Sequence, residues 1–435
     1  MTKKLDLMLP LAIICASLLV GAQALGGSSF IIMAILAFLA LVIFSSDEHT
    51  IPLLLFFMPF STIIKLSPES ISFSSVAIAL VFVIKLIKHY EKPIPTRLII
   101  SVCALGVISL IANLLGGYGI SLGFLMFFGM LFAFPLMTFW AKDRLKLENC
   151  ALYYSLGILL ATVLSFAFSE NDNLLSYIVV MKDQQIVRHC GFYGDPNFYA
   201  SQIVTAVGLQ LLIISKREKG ALINFLLALA LTACGAISVS KSYLLCLVAV
   251  VVAWLFCLPR SRVRRRILLS FAVLTAVAAI LIACGLFSGI IDQYIDRFSE
   301  SKDLASLTTN RVNLWVDYLR FFLDNPMDLL IGQGYANVFT GTLTKASHNT
   351  LIQCVYQFGL LGSAMLLAWF FSIVRMLKGG RVKASRVTVL LLSCFSMWMG
   401  LDFLFFDDFF LTVIVFALGL RYLQSETELP MNAVK

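Results

Sequence analysis

Apolar runs long enough to cross a lipid bilayer recur along the whole chain. Each run is about 17 to 25 residues long, and a helix of that length spans a hydrocarbon core of about 30 Å. Because 60% of the 435 residues are hydrophobic and only 13% are charged, a water-soluble domain of this size could not bury the apolar surface. The alternating pattern of a membrane β-barrel is missing, so the spans satisfy their backbone hydrogen bonds as helices. The sequence predicts an all-α, polytopic membrane protein.

The hydropathy pattern predicts about fourteen membrane spans. They cover residues 7–24, 29–45, 51–65, 71–87, 97–115, 119–140, 149–169, 197–215, 220–238, 241–258, 267–289, 350–374, 386–402 and 408–423. The third and the last are short, so we expect about 12 to 14 transmembrane helices. We see no clear internal repeat, and we interpret residues 1–435 as a single transmembrane domain.

Basic residues between the spans predict the orientation of the chain. Basic clusters occur at residues 85–97, 142–146, 216–219, 260–266 and 375–386. A cytoplasmic N terminus and an even number of spans put all of these clusters in the cytoplasm, which also explains the net charge of +9 without a nucleic-acid partner. The same topology puts two polar loops, residues 170–196 and 290–347, on the outer face.

Nothing in the sequence indicates a metal, cofactor or redox site. Most of the ten cysteines lie inside apolar runs, where cysteine behaves as a small hydrophobic residue. The sequence has no CxxC pair, zinc-spaced Cys/His cluster, Walker loop or dinucleotide fingerprint. We therefore expect an enzyme or carrier that uses no cofactor.

The long outer loop contains an amphipathic segment from Leu307 to Leu323. The side chains predicted to share one face of this helix are Trp315, Leu319, Phe322 and Leu323. Thr308 or Thr309 is the predicted cap of its first turn. Such a helix would lie on the membrane surface, so the loop is predicted to carry short amphipathic helices.

Four cationic or titratable side chains lie on the outer side, near membrane depth, where charges are costly. They are Arg188, Lys241, Arg311 and His348. Each alone has an ordinary explanation as a loop charge, a snorkelling lysine or a helix N-terminal residue. Together they indicate a site, because guanidinium and ammonium groups bind pyrophosphate oxygens through charge-assisted bonds. A histidine that titrates near neutral pH could take the proton of a sugar hydroxyl.

Several sequence patterns carry a resemblance to a known family. GFYGDPNFYA precedes a span, SVSKSYLL links two spans, and the long loop contains NRVNLWVDYLRFFLDNPMDLLIGQGYANVF. The loop ends in SHNTLIQCVYQFGLLGSAML, which has a Gly-x-x-Gly turn at Gly359 to Gly362. Over about residues 188–366 the chain resembles the superfamily of O-antigen ligases and O-antigen polymerases. The N-terminal half matches that superfamily only in hydropathy.

The resemblance implies a GT-C-like membrane glycosyltransferase that is independent of metal ions and takes its glycan from undecaprenyl pyrophosphate. The family's functional positions carry over to Lys241 and Arg311 for the pyrophosphate, with Arg188 beside them, and to His348 for activating the acceptor hydroxyl. Arg311 also counts as catalytic because it stabilises charge on the leaving group. Where members usually have arginine this chain has Lys241, which keeps the charge but lacks the bidentate fork.

Three further polar residues are candidates for contacting the glycan. Asn349 follows His348 at the entrance of a span, and Asp195 and Asn197 lie in the GFYGDPNFYA motif. Asp195 and Asn197 could equally form a turn and a helix cap. The nearest acidic cluster, Asp402 with the pair at 407–408, is predicted to be a solvated loop, with an ion site as the alternative.

Polymerase and ligase functions both fit these residues, and we favour the polymerase. It would extend surface polysaccharide on undecaprenyl pyrophosphate, whereas a ligase would move the glycan to lipid A core or another acceptor. The alternative from another class is a transporter, which would place its charges near the bilayer midplane in repeated halves. The expected partners are the lipid-linked donor, a glycan or lipid-linked acceptor, membrane lipids, a flippase and a chain-length regulator. We expect a multi-pass protein of the bacterial inner membrane with its active site facing the periplasm or cell exterior.

Overall fold

The computed structural model is almost entirely helical in the residues that it describes. These are residues 7–66, 72–182, 186–216, 220–258, 288–299, 308–335, 345–377, 384–404 and 406–424, with isolated positions at 265, 269–270, 272–273, 285 and 343. The predicted span 267–289 and most of the basic cluster at 260–266 lie outside the described residues. The described residues therefore test neither this predicted span nor its orientation.

The described residues up to position 257 form eleven α-helices and one small β-hairpin. The helices are α1 (Met8–Leu25), α2 (Ser28–Ile43), α3 (Asp47–Phe57), α4 (Phe73–Lys88), α5 (Thr96–Leu115), α6 (Leu122–Ala141), α7 (Leu147–Ala167), α8 (Asp172–Ile178), α9 (Pro196–Lys216), α10 (Ala221–Ala236) and α11 (Lys241–Cys257). Strands β1 (Val179–Lys182) and β2 (Ile186–His189) pair antiparallel between α8 and α9.

Six further helices follow in the described residues of the second part. They are α12 (Ser288–Ser299), α13 (Arg311–Asp324), α14 (Pro326–Ile331), α15 (Thr350–Leu377), α16 (Ala384–Phe395) and α17 (Asp407–Gln424). A 3-10 turn, Ser396–Gly400, continues α16, and another, Met58–Phe60, continues α3. Proline at position 59 has no backbone N–H and disfavours a continuing α-helix, which agrees with the end of α3 at Phe57.

The predicted class is confirmed, since the described chain is an all-α, polytopic membrane protein. Helices α1, α5, α6, α7, α9 and α15 are long and apolar enough to cross a membrane. Helices α2, α10 and α11 are apolar but shorter, as is α16 together with its 3-10 turn. Every predicted span that falls within the described residues contains one of these helices or α3, α4 or α17.

Helix α9 is the centre of the bundle. It packs against α7, α10, α11 and α16, and 94% of its most apolar window is buried. At 21 residues it is about 31 Å long, so its two ends reach the two faces of a bilayer. Its first turn carries Asn197, while its last turn carries Lys216, which belongs to a predicted cytoplasmic cluster. The GFYGDPNFYA loop and Lys216 therefore lie at opposite ends of the bundle.

The amphipathic helix predicted at Leu307–Leu323 exists as α13, but the predicted cap was wrong. Neither threonine is its N-cap residue, because Asn310 precedes the helix in a left-handed conformation with no side-chain cap. Tyr318 and its neighbours at 321–322 are buried beside Tyr356 of α15. Leu319 and Leu323 of the predicted apolar face are 58% and 79% exposed on the protein surface, and their contact with the membrane stays a prediction.

The Gly-x-Gly segment after α14 docks onto a break in α15. Gly359 has a φ of 63° and interrupts the helix at the predicted Gly-x-x-Gly turn. The nitrogen of Gly334 donates to the carbonyl of Gln357 at 2.9 Å, and a Cβ on Gly332 would lie 2.5 Å from that same carbonyl oxygen. Gly332 itself has a φ of 82°. Glycine is needed at Gly332 and at Gly359, because the two backbone segments touch there and leave no room for a side chain.

Candidate active site

The short link between α10 and α11 directs two carbonyl groups at two arginines. Val239 lies in this link with a φ of 45°, a conformation that β-branched residues rarely adopt. The carbonyl of Ser238 accepts a hydrogen bond from Nε of Arg188 at 3.0 Å, and the carbonyl of Val239 accepts one from Arg297. The strained link thus holds one guanidinium group from β2 and one from α12.

Asn197 and Asp195 support this arrangement from the start of α9. The side-chain oxygen of Asn197 accepts a bond from the Arg188 guanidinium at 3.1 Å and lies 2.9 Å from the Ser240 hydroxyl. One carboxylate oxygen of Asp195 accepts bonds from the backbone nitrogens of Asn197 and Phe198 at 2.7 and 3.2 Å. Asp195 therefore has the geometry of a helix cap, and Asn197 has the geometry of a support for Arg188.

Four cationic side chains meet at one cavity of about 140 Å³. They are Arg188, Lys241, Arg297 and Arg311. The remaining wall is polar and consists of Asn197, Ser242, Thr308 and Thr309. No carboxylate belongs to the lining within the described part of the chain. We call this space the cationic cavity, and its composition suits an anion with several oxygen acceptors.

The cations of this cavity are removed from water. Arg188 and Lys241 are each 8% exposed and Arg297 is 6% exposed. Burial, followed by the nearby charge of Arg297, lowers the pKa of Arg188 to about 10. Burial also lowers the pKa of Arg311, although Asp195 and Asp402 oppose that shift. Like charges held together in a desolvated site are costly, and a bound polyanion would offset that cost.

Arg311 enters the cationic cavity from the first residue of α13. One of its terminal nitrogens donates to the hydroxyl of Ser242 at 3.2 Å. The same nitrogen lies 2.5 Å from where a Cβ on Gly400 would be. Glycine at the end of the 3-10 turn therefore leaves the space that this guanidinium group occupies.

His348 lies next to Asp402 and does not line the cationic cavity. Its φ is 50°, and its backbone nitrogen donates to a carboxylate oxygen of Asp402 at 2.8 Å. Nδ1 of the imidazole lies 3.6 Å from the same oxygen, and the side chain is 47% exposed. Trp315, one turn after Arg311 on α13, donates to the carbonyl of Ser347 at 3.0 Å. One helix therefore connects Arg311 to the turn that carries His348.

Asn349 forms the cap of α15. Its side-chain oxygen accepts bonds from the backbone nitrogens of Leu351 and Ile352 at 3.0 and 3.3 Å, and the residue is 3% exposed. Its own nitrogen donates to Asp402 at 3.1 Å. Asn349 thus fixes the orientation of the turn before the helix, and its contact with glycan stays a prediction.

The comparison with protein families places this site in a known context. The family model described as O-antigen ligase matches residues 202–367, a segment that contains Lys241, Arg297, Arg311 and His348. This segment of the multi-pass membrane protein is similar to the O-antigen ligase family, which agrees with the resemblance noted in the sequence. A search of curated proteins found no match to the chain.

Sequence reasoning missed Arg297 as a member of the site. A signal for it exists in the sequence, because Arg297 lies three residues after Tyr294 and seven after Ile290, on the apolar face of α12. An arginine on the buried face of an amphipathic helix needs a partner. That its partner is the carbonyl of Val239, which is 58 residues away, depends on the tertiary fold.

The acidic residues after α16 do not form the solvated loop that the sequence predicted. Asp408 is 2% exposed, and its carboxylate accepts bonds from the Tyr193 hydroxyl at 2.5 Å and from Gln202 at 3.0 Å. Asp402 accepts the backbone bond of His348 described above. The prediction was wrong because this link packs against the GFYGDPNFYA loop and the start of α15 instead of extending into water.

Proposed function

We propose that this protein polymerises oligosaccharide units carried on undecaprenyl pyrophosphate into a surface polysaccharide. The observation that supports the proposal is the cationic cavity, in which three guanidinium groups and one ammonium group face one space. A pyrophosphate presents several oxygen acceptors at high charge density, and guanidinium forks match them. His348 supplies the base that takes the proton of the acceptor hydroxyl.

In the proposed reaction, an acceptor hydroxyl oxygen attacks C1 of the donor sugar. A new C1–O bond forms while the bond from C1 to the pyrophosphate oxygen breaks, with inversion at C1. The hydroxyl proton passes to His348, and Asp402 stabilises the resulting imidazolium, since its carboxylate lies 3.6 Å from Nδ1. The electron pair leaves with the pyrophosphate.

The cations of the cavity act on the leaving group. Negative charge builds up on the bridging oxygen as the bond breaks, and prearranged cations in a water-poor site stabilise that charge. Arg188, Lys241, Arg297 and Arg311 are held before substrate arrives, so little reorganisation is needed. This is the role that a metal ion has in many other transferases, and we propose that the side chains fill it here.

We further propose that the protein lies in the bacterial inner membrane with this site facing outward. The cationic cavity lies at the end of α9 that is remote from Lys216, and positive-inside orientation would place Lys216 in the cytoplasm. The site is then on the periplasmic or exterior side, within the loops 170–196 and 290–347. A flippase and a chain-length regulator would act beside it.

Ligation to lipid A core or another acceptor is the second candidate, because the same residues serve either acceptor. A transporter fits less well. Its charges would lie near the bilayer midplane, whereas the cations here lie on β2, in the last turn of α12 and at the starts of α11 and α13, at one end of the bundle.

The test is glycan transfer by purified protein in nanodiscs, with the undecaprenyl-pyrophosphate-linked repeat unit of its host. Ladders of extended glycan are expected for the wild type, with loss of at least about a hundredfold in Arg311→Ala and His348→Ala. Arg320→Ala is the matched control, because Arg320 lies on the same helix with its side chain 73% exposed. Transfer only after addition of core lipid would identify a ligase. Absence of any transfer from a verified donor would refute the proposal.

A further inference from the structure

A second cavity, of about 230 Å³, lies between the first turns of α4, α6 and α17. Among the described residues, its lining shares none with the cationic cavity. Three of its side chains are polar, namely Ser75, Asp407 and Tyr335, and the apolar part includes Phe127, Met130 and Phe410. The space thus combines aromatic rings with a carboxylate, and the reaction proposed above does not use it.

The carboxylate of Asp407 has unused capacity to accept hydrogen bonds. Its one described hydrogen bond comes from the hydroxyl of Ser75 at 3.4 Å, which is long for an O–H···O bond. Within the described residues it forms no ion pair. A carboxyl group has several acceptor positions in either protonation state, so a ligand with several hydroxyl groups would find partners there.

The aromatic wall of the cavity is held in place by the Gly-x-Gly segment. The backbone nitrogen of Tyr335 donates to the side chain of Asn113 at 2.6 Å. The ring of Tyr335 lies 5.0 Å from that of Phe127 and 6.5 Å from that of Phe358, measured between centroids. Because Gly334 is bonded to α15, the adjacent Tyr335 is held as a fixed surface of the cavity.

We propose that this second cavity binds one sugar ring of the acceptor glycan, an inference that rests on the proposed function. A sugar ring has a C–H face that packs on aromatic rings, and its hydroxyl groups donate to a carboxylate. Pockets for drug-sized ligands have volumes of about 300 to 1,000 Å³, so the smaller space here suits a single ring.

The chain path places this subsite on the acceptor side of the reaction. Asp402, the partner of His348, lies in the link between α16 and α17, and Asp407 is the first residue of α17. The two are five positions apart in the chain, so their Cα atoms are at most about 18 Å apart. A glycan whose reacting hydroxyl lies at His348 can therefore place another of its sugars in the cavity.

Saturation-transfer NMR on the full chain in nanodiscs tests this subsite without the transfer reaction. The probes are the methyl glycosides of glucose, galactose and N-acetylglucosamine. Asp407→Asn removes the charge and keeps the shape, and Gly123→Phe fills the mouth, where a Cβ would meet the Tyr335 ring at 3.7 Å. Asp324→Asn, which removes a carboxylate outside the cavity, is the control.

We expect saturation of at least one glycoside in the wild type and in Asp324→Asn, with about a tenfold weaker interaction in the other two variants. Asp407→Asn should also raise the KM for acceptor glycan about tenfold and leave the KM for the lipid-linked donor unchanged. Equal signals in all four proteins, or no signal with any glycoside, would overturn the subsite. If the subsite fails while Arg311→Ala still abolishes transfer, the proposed function stands. A wild type that binds glycosides but transfers nothing would refute the function instead.

Discussion

At the level of single residues, the cationic cavity depends on side chains whose charges repel one another. Arg188 and Arg297 are close enough for each charge to disfavour the other, and both are buried. Backbone carbonyls of the 238–239 link and the side chain of Asn197 hold them in place. These neutral groups orient the cations without neutralising them, which keeps the positive charge available for substrate.

Substitutions at Lys241 and Arg297 test whether donor binding needs only a positive charge or also the bidentate guanidinium group. Lys241→Arg should keep or raise transfer, because the charge stays and a bidentate bond becomes available. Lys241→Met and Arg297→Met should each raise the KM for the lipid-linked donor by at least about tenfold, since each removes a charged hydrogen-bond donor. Steady-state kinetics against donor concentration measures this. An unchanged KM in Arg297→Met would remove Arg297 from the site.

Asp402 is predicted to position His348 and not to bind donor. Asp402→Asn keeps one side-chain oxygen, which can still accept from the backbone nitrogen of His348, but loses the charge beside the imidazole and the second oxygen, which accepts from the backbone nitrogen of Asn349. We expect kcat to fall by about tenfold to a hundredfold with donor KM unchanged, because the imidazolium formed during proton transfer loses its counterion. Asp317→Asn on the exposed face of α13 is the control. A rise in donor KM without a change in kcat would contradict the assignment.

At the level of elements, function depends on how helix starts are joined. The starts of α9, α11, α13 and α15 bring Asn197, Lys241, Arg311 and the His348 turn to one end of the bundle. The α14–Gly-x-Gly segment then joins the outer loop to the break in α15. These contacts are backbone to backbone, so they tolerate little change in side-chain size.

Gly332→Ala should destabilise the protein more than Gly220→Ala. Gly332 has a φ of 82° and Gly220 has a φ of 84°, so both substitutions incur the same conformational cost of roughly 1 kcal/mol. Only at Gly332 would the new Cβ also lie 2.5 Å from a carbonyl oxygen, whereas Gly220 has open space. Thermal unfolding in detergent should give a lower Tm for Gly332→Ala. Equal Tm values would show that the backbone around Gly332 accommodates the added Cβ without further loss of stability.

At the level of the whole molecule, α9 separates two ends with different charge and chemistry. One end carries the cationic cavity and the second cavity. The other carries Lys216 and, at the C-terminal end of α4, Lys85 and Lys88 paired with Asp47. A membrane protein with this polarity is oriented by its cytoplasmic basic residues.

Cysteine labelling in intact spheroplasts tests the orientation. Asp324→Cys, near the cationic end, should react with a membrane-impermeant maleimide, and Asp143→Cys, at the opposite end, should react only after lysis. The unmodified chain gives the background from its own cysteines. Labelling of Asp143→Cys alone in intact cells would reverse the proposed topology.

The sequence by itself determined the fold class and the positions of most of the apolar helices, because long apolar runs have no alternative to helices in lipid. Its motifs also singled out Arg188, Lys241 and Arg311, which the fold brings to one cavity, and His348, which does not line that cavity. Local pattern identified the amphipathic helix α13 but not the residue that precedes it.

Only the tertiary structure decided which residues meet. The pairing of Arg297 with the Val239 carbonyl, of His348 with Asp402, and of Tyr335 with Asp407 in one cavity joins positions that are 54 to 72 residues apart. Such pairings leave no periodic signal, because each depends on how separate helices pack and where their links turn. For the same reason the acidic residues appeared solvated in the sequence, whereas in the fold the carboxylate of Asp408 is buried and bonded to Tyr193, which lies 215 residues earlier.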